Sequence, residues 1–122
     1  PFKVGPDYID PGFHFHYSKQ HSINLDPWIM GREHILQAAK EFTENAFGIA
    51  EGVMGLFDGS DPTNDSGSTM EVARWLSWPI LLVVPCQNSG RSITAAIQGF
   101  VAEAGGSEHF AGIILNQVNS ES

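Results

Sequence analysis

WPILLVVPC, residues 78–86, decides the fold class, because Ile80 to Val84 form a continuous apolar run with no polar alternation. A strand with one wet face alternates apolar and polar residues, whereas a central strand of a parallel sheet, covered on both faces, does not. The run therefore reads as a buried parallel strand. Trp78-Pro79 stops the segment before it, in which Ser68-Thr69-Met70-Glu71 has capping-box spacing and opens a helix through about Leu76. After the strand, Ser92 starts another helix that ends at Gly105-Gly106, and Ala111 to Leu115 is the next buried strand, ending at Asn116.

Moving toward the N-terminus, Phe47 to Ala50 reads as a short buried strand that runs into the loop EGVMGLFDG, continued by GSDPTNDSGS. Asp26-Pro27 supplies an N-cap followed by proline at the first helical position, and Ile35, Leu36, Ala38, Ala39 and Phe42 give a helical face up to about Asn45. Residues 5–26 are rich in Pro, Gly, His and Asp and read as a long irregular loop, a length more often functional than structural. Phe2 to Val4 is the tail of a strand. Strand, helix, strand, helix, strand marks an α/β domain with a mostly parallel sheet and flanking helices.

Composition narrows the function. The 122 residues are 42% apolar, ordinary for one small globular domain. Fourteen acidic against six basic residues give a formal charge of −8, which argues against a broad footprint on nucleic acid or on an anionic membrane face. The apolar run near Pro79 to Val84 is far short of the roughly 20 residues of a bilayer span, and no signal peptide is evident. The expectation is a cytoplasmic protein. Cys86 is the only cysteine, so no internal disulfide can form. The chain starts at Pro1 and enters an apolar segment directly, which reads as a cut through a longer protein.

In parallel α/β sheets, ligands sit beyond the carboxyl ends of the strands. Asp7 and Asp10 follow the first strand, Glu51 and Asp58 the second, Cys86 to Arg91 the third, and Asn116 the fourth. Oxygen ligands of this kind suit Mg²⁺, which takes one or two carboxylates plus phosphate oxygens and water. Each aspartate taken singly is equally well explained by turn hydrogen bonds in Pro/Gly loops. His14, His16 and His21 suggest a transition-metal site, but no cysteine or carboxylate at zinc spacing completes a set, and loop histidines commonly hydrogen-bond or sit at a surface. Cys86 has no nearby histidine base and reads as a small buried residue, while Trp75, Trp78 and Phe100 read as core. Arg91, with Ser89, Gly90 and Ser92, opens onto a helix N-terminus that favours an anion; the competing reading is a solvated surface arginine.

Taken in order, FKVGPDYIDPGFH, NLDPWIMG, EGVMGLFDG, GST, LLVV, RS and AGIILNQV resemble the synthetase domain of the cobyrinic acid a,c-diamide synthases, glutamine-dependent amidoligases of cobalamin biosynthesis. The resemblance covers nearly the whole chain. It implies a P-loop NTPase-like, dethiobiotin-synthetase-like fold, shared with cobyric acid synthase. It also implies a two-stage reaction in which ATP phosphorylates a corrinoid side-chain carboxylate and ammonia from glutamine then displaces phosphate, at the c and a positions in turn. Such chemistry is mostly positioning and charge neutralisation, so Mg²⁺ is expected.

Carried over to this sequence, the resemblance puts Asp7 and Glu51 where Mg²⁺ and the ATP phosphates are held. Asp10 and Asp58 would position the corrinoid carboxylate or stabilise the acyl phosphate, and Lys3 would supply positive charge near the transferred phosphate. Tyr8, His14, Asn24 and Asp26 would line the substrate side; Asn116 would contact the adenine edge, and Arg91 is the remaining candidate for nucleotide binding. Departures are equally visible. No GxxxxGK[ST] occurs in the chain, Pro85 and Ala46 stand where the family often has aspartate, and no amidotransferase domain is present. The expectation is a single partial synthetase domain, inactive alone, that depends on an amidotransferase domain elsewhere. An exposed sheet edge would invite pairing between chains. An amidoligase for another tetrapyrrole, such as nickel sirohydrochlorin, and a silent binding or assembly module are the alternatives.

Overall fold

The computed structural model describes residues 1–118, which fall into two compact units, Pro1–Ser77 and the residues from Trp78 onward. In the first unit, β1 (Phe2–Val4) is flanked in parallel by β2 (Ile23–Leu25) and β3 (Ala50–Glu51), in the order β2-β1-β3. Successive side chains of a strand point to opposite faces. Phe2, Val4 and Leu25 therefore turn apolar groups to one face and are buried there. Lys3, Asn24 and Glu51 stand in register on the other face.

The crossover from β1 to β2 is a helix, α1 (Asp10–Ser18), in the stretch read as irregular loop. This corrects that reading and adds β2, a strand of three residues. Pro11 falls in the first turn of α1, where its missing N–H costs nothing. The helix escapes the sequence pattern because none of its residues is buried, so it has no apolar stripe.

Helix α2 (Pro27–Thr43) begins where expected, with the Asp26 carboxylate accepting from the N–H groups of Trp28 and Ile29 at 2.8 and 3.2 Å. It is kinked at Gly31, whose φ of 68° is left-handed and suits a residue without Cβ. Beyond the kink, Ile35 and Ala39 are buried one turn apart, and α2 packs on α3 (Thr69–Leu76), which buries Met70 and Val72. Each large side chain so buried contributes about 1.5–3 kcal/mol. Ser68 caps α3 as the sequence predicts, accepting from Glu71 N–H at 3.1 Å, while Glu71 reaches back to Gly67 N–H at 2.8 Å.

In the second unit, β4 (Ile80–Pro85) pairs in parallel with β5 (Phe110–Asn116), and α4 (Ile93–Glu103) connects them through a 3₁₀ turn at Ser107–His109. The parallel α/β class is as expected. The burial is not: Leu82 and Val84 are buried, but Leu81 and Val83 are 55% and 54% exposed, and most of β5 is exposed. Likewise β3 is two residues long, with Phe47 and Ile49 exposed before it, because the chain there is loop rather than strand. Trp75, Trp78 and Phe100 are half-buried rather than core. Cys86 is buried as expected, its thiol against the Val84 carbonyl at 3.4 Å. Among the described residues no helix is long and apolar enough to cross a membrane.

Candidate functional site

Lys3 is the centre of the first unit's polar face. It is 3% exposed, and such burial requires partners for its ammonium. Nζ donates to Asp10 Oδ2 at 2.6 Å and to the Gly52 carbonyl at 3.1 Å, with Asp7 Oδ2 at 3.7 Å and Glu51 Oε2 at 3.8 Å. Each partner arrives by a separate local device. Register places Glu51 beside Lys3 across the β1–β3 pair. The first turn of α1 brings Asp10 over the strand end, and that turn is set by Asp7, whose Oδ1 accepts from the N–H groups of Ile9 at 2.7 Å and Asp10 at 3.3 Å. Asn24, the other register neighbour of Lys3, donates from Nδ2 to the Asp7 carbonyl.

The turn reading of Asp7 thus holds, since Oδ1 closes the turn, while Oδ2 faces the Lys3 ammonium. The titration behaviour follows. Burial alone pushes the Lys3 pKa down, but the Asp10 hydrogen bond and the charges of Glu51, Asp10 and Asp7 together outweigh it and hold the ammonium above its ordinary range. The Ile9 N–H bond, helped by the Asp10 N–H and the Lys3 charge, holds the Asp7 carboxyl below its ordinary range against a smaller opposing effect of desolvation.

His14 enters from α1. Its Nε2 lies 2.6 Å from Glu51 Oε2 and its Nδ1 2.8 Å from Ser22 Oγ. Five of the expected residues, Lys3, Asp7, Asp10, His14 and Glu51, therefore form one cluster, with Asn24 at its rim. Ser22 and the Gly52 carbonyl join them; Gly52 lies within EGVMGLFDG, whereas a serine before a three-residue strand carries no pattern. His16 stacks edge-on against Tyr17 and His21 stacks on Phe15, so the three histidines do not converge. Among the described residues no group of three or more His, Cys, Asp or Glu is arranged to hold a metal ion.

The other expected residues lie elsewhere. The Asp58 carboxylate is exposed and accepts from Gly55 N–H at 2.9 Å, closing a turn in the EGVMGLFDG loop. Asp26 is buried and its Oδ1 caps α2; Tyr8 is 88% exposed beside Asp7 in the chain. In the second unit, Arg91 is exposed just ahead of α4, and Asn116 ends β5 with its carbonyl accepting from Cys86 N–H at 2.7 Å and its side chain from Gln117 N–H at 3.0 Å.

The arrangement has a chemical character. Three carboxylates share one ammonium at the carboxyl ends of parallel strands, which leaves a surplus of negative charge. Asp7 and Glu51 remain partly open to solvent, their side chains 24% and 51% exposed. Fold and cluster together define an α/β protein with a lysine-centred acidic site at its strand ends.

The chain is similar to curated a,c-diamide synthases, in agreement with the resemblance of the motifs. The chain is 45% identical over 120 residues to cobyrinate a,c-diamide synthase of Syntrophotalea carbinolica, covering 98% of this chain and 26% of that protein. It is 43% identical to the protein of the same name from Picrophilus torridus, over 99% of this chain and 28% of that one. It is also 43% identical to hydrogenobyrinate a,c-diamide synthase of Brucella anthropi, over 98% of this chain and 27% of that one. The chain thus spans about a quarter of the length of the curated relatives it matches. No protein-family model and no solved structure matches it.

Proposed function

We propose that the chain forms part of an ATP- and glutamine-dependent carbon–nitrogen ligase that amidates the a and c carboxylates of cobyrinic or hydrogenobyrinic acid in cobalamin biosynthesis. The observation that carries this reading is the buried Lys3 ammonium ringed by Asp7, Asp10 and Glu51, in a chain 39–45% identical to synthases of that name. On this reading the domain is a partial, P-loop NTPase-like synthetase domain in the cytoplasm, with ammonia delivered from glutamine by an amidotransferase domain outside this stretch. The substrate is a corrinoid polycarboxylate.

The donor set fits Mg²⁺. Asp7 and Glu51 offer partly exposed carboxylate oxygens beside surplus negative charge, and Mg²⁺ needs no more than one or two carboxylates when phosphate oxygens and water complete its shell. Once bound, Mg²⁺ would neutralise charge on the ATP phosphates. Lys3 supplies a fixed positive charge that stays protonated in neutral solution, suited to an anionic group in transfer. Asp10, held against Lys3, keeps that ammonium aimed at the strand ends. His14, Asn24, Tyr8 and Asp26 line or brace the substrate side, Asp58 orders the loop after Glu51, and Asn116 and Arg91 are assigned to the nucleotide.

Glu51→Gln in the complete ligase tests the reading. It should abolish Mg-ATP-dependent amide formation on a corrinoid acid, read by mass spectrometry of the product. Amidation at the wild-type rate would remove Glu51 from the metal site. Parallel assays with a nickel porphinoid acid identify the tetrapyrrole.

A further inference from the structure

We infer that Ser22 is a positioning residue of this site, acting through His14 on Glu51. The inference deepens the ligase reading and rests on it for its catalytic consequence, but not for its structural one. His14 spans a gap between elements: it lies on α1, Ser22 immediately precedes β2, and Glu51 ends β3. Its two ring nitrogens are both engaged, Nδ1 with Ser22 Oγ at 2.8 Å and Nε2 with Glu51 Oε2 at 2.6 Å.

The chemistry of the three groups fixes the proton pattern. An ionised carboxylate only accepts, so the bond to Glu51 requires a proton on Nε2. In the neutral ring Nδ1 is then a bare acceptor, and Ser22 must donate its hydroxyl proton to it. Glu51 thus sets the tautomer, while the Ser22 hydroxyl anchors the other ring nitrogen and so fixes the orientation of the ring.

With the ring held, the Glu51 carboxylate is held as well. Glu51 is half exposed and its other close contact is the Lys3 ammonium, at 3.8 Å. The His14 bond is therefore the shorter and more directional restraint on where Oε2 sits. A group hydrogen-bonded directly to a metal-holding carboxylate, as His14 is to Glu51, typically changes metal affinity or activity by about 10- to 100-fold when removed, and Ser22 acts through it.

The test has two readouts. In the isotope-labelled chain, the His14 ring protons should show nuclear Overhauser contacts to the Glu51 side chain in the wild type, lose them in Ser22→Ala as the unanchored ring samples other orientations, and regain them in Ser22→Thr. In the complete ligase, Ser22→Ala should raise the Mg²⁺ concentration needed for half-maximal rate or lower kcat/KM by about 10- to 100-fold, with Ser22→Thr restoring it. Unchanged His14–Glu51 contacts in Ser22→Ala overturn the inference, and so does their loss with unchanged kinetics. If the wild-type ligase amidates no corrinoid acid, the ligase reading fails, and the His14–Glu51 contacts still decide whether Ser22 positions His14. Loss of native circular dichroism in Ser22→Ala is separated from loss of positioning by the threonine variant, which retains the hydroxyl.

Discussion

Lys3 and Asp10, seven residues apart, meet at 2.6 Å because α1 begins directly over the end of β1. The ammonium is buried and the carboxylate is not, so the pair is asymmetric: removing the lysine strands three carboxylates together, whereas removing the aspartate leaves the lysine two others. Lys3→Met should therefore destabilise the chain by about 1–3 kcal/mol, read as a lower urea midpoint with unchanged slope. Asp10→Asn should cost less, and Lys3→Met with Asp10→Asn should recover part of the single-variant loss, because one stranded charge is gone. A double variant as unstable as the sum of the singles would mean the two groups do not interact.

The two displaced pKa values put opposite limbs on the stability profile. The Lys3 pKa is raised on folding, so its contribution is fully present below the ordinary lysine value of 10.5 and is lost as pH rises through the higher folded value. The Asp7 pKa is lowered, so its contribution is present above the ordinary value of 3.8 and is lost as pH falls through the lower folded value. Unfolding free energy measured across pH should fall at both ends, and Asp7→Asn should flatten the acid limb most, with a smaller effect on the alkaline limb because its charge also supports Lys3. An unchanged acid limb in that variant would assign it to other carboxylates.

Helix starts offer an independent check. Asp26→Ala removes a buried cap that accepts two N–H groups, and Ser68→Ala removes one that accepts a single N–H group and is fully buried. Each should cost about 1–2 kcal/mol by thermal or urea unfolding. Because Asp26 is also assigned to the substrate side, a rise of KM in the complete ligase beyond that seen for Ser68→Ala would show that it does more than cap.

The loop after β3 is held by close backbone approach. A Cβ on Gly59 would clash with the Ser66 carbonyl oxygen, so Gly59→Ala must push the 59–67 segment open. Faster proteolytic cleavage within that segment, with little change at α2, is the expected result.

Much of this architecture is legible in the amino-acid sequence. The Asp26-Pro27 and Ser68-to-Glu71 signals mark helix starts because capping is local chemistry, and the ILLVV run marks a strand because parallel pairing makes few demands on alternation. The Lys3, Asp7, Asp10 and Glu51 association is legible through the motifs that carry them. Helix α1 is not, although Asp10-Pro11 repeats the Asp26-Pro27 signal, since Gly12 and the exposed Phe13, Phe15 and Tyr17 hide any buried stripe. Ser22 is invisible because its role depends on a histidine from another element, and tertiary proximity leaves no trace in spacing.

The rung formed by Lys3, Asn24 and Glu51 bears on how such a chain can vary over evolution. The loops between the strands can lengthen or shorten, provided the strands return to the same pairing. A single inserted or deleted residue within β1, β2 or β3 cannot be absorbed in this way, because side chains alternate and a slip of one turns Lys3 toward the face of Phe2 and Val4. Length changes within the 52–67 loop should then be tolerated far more readily than any change of one residue between Phe2 and Val4.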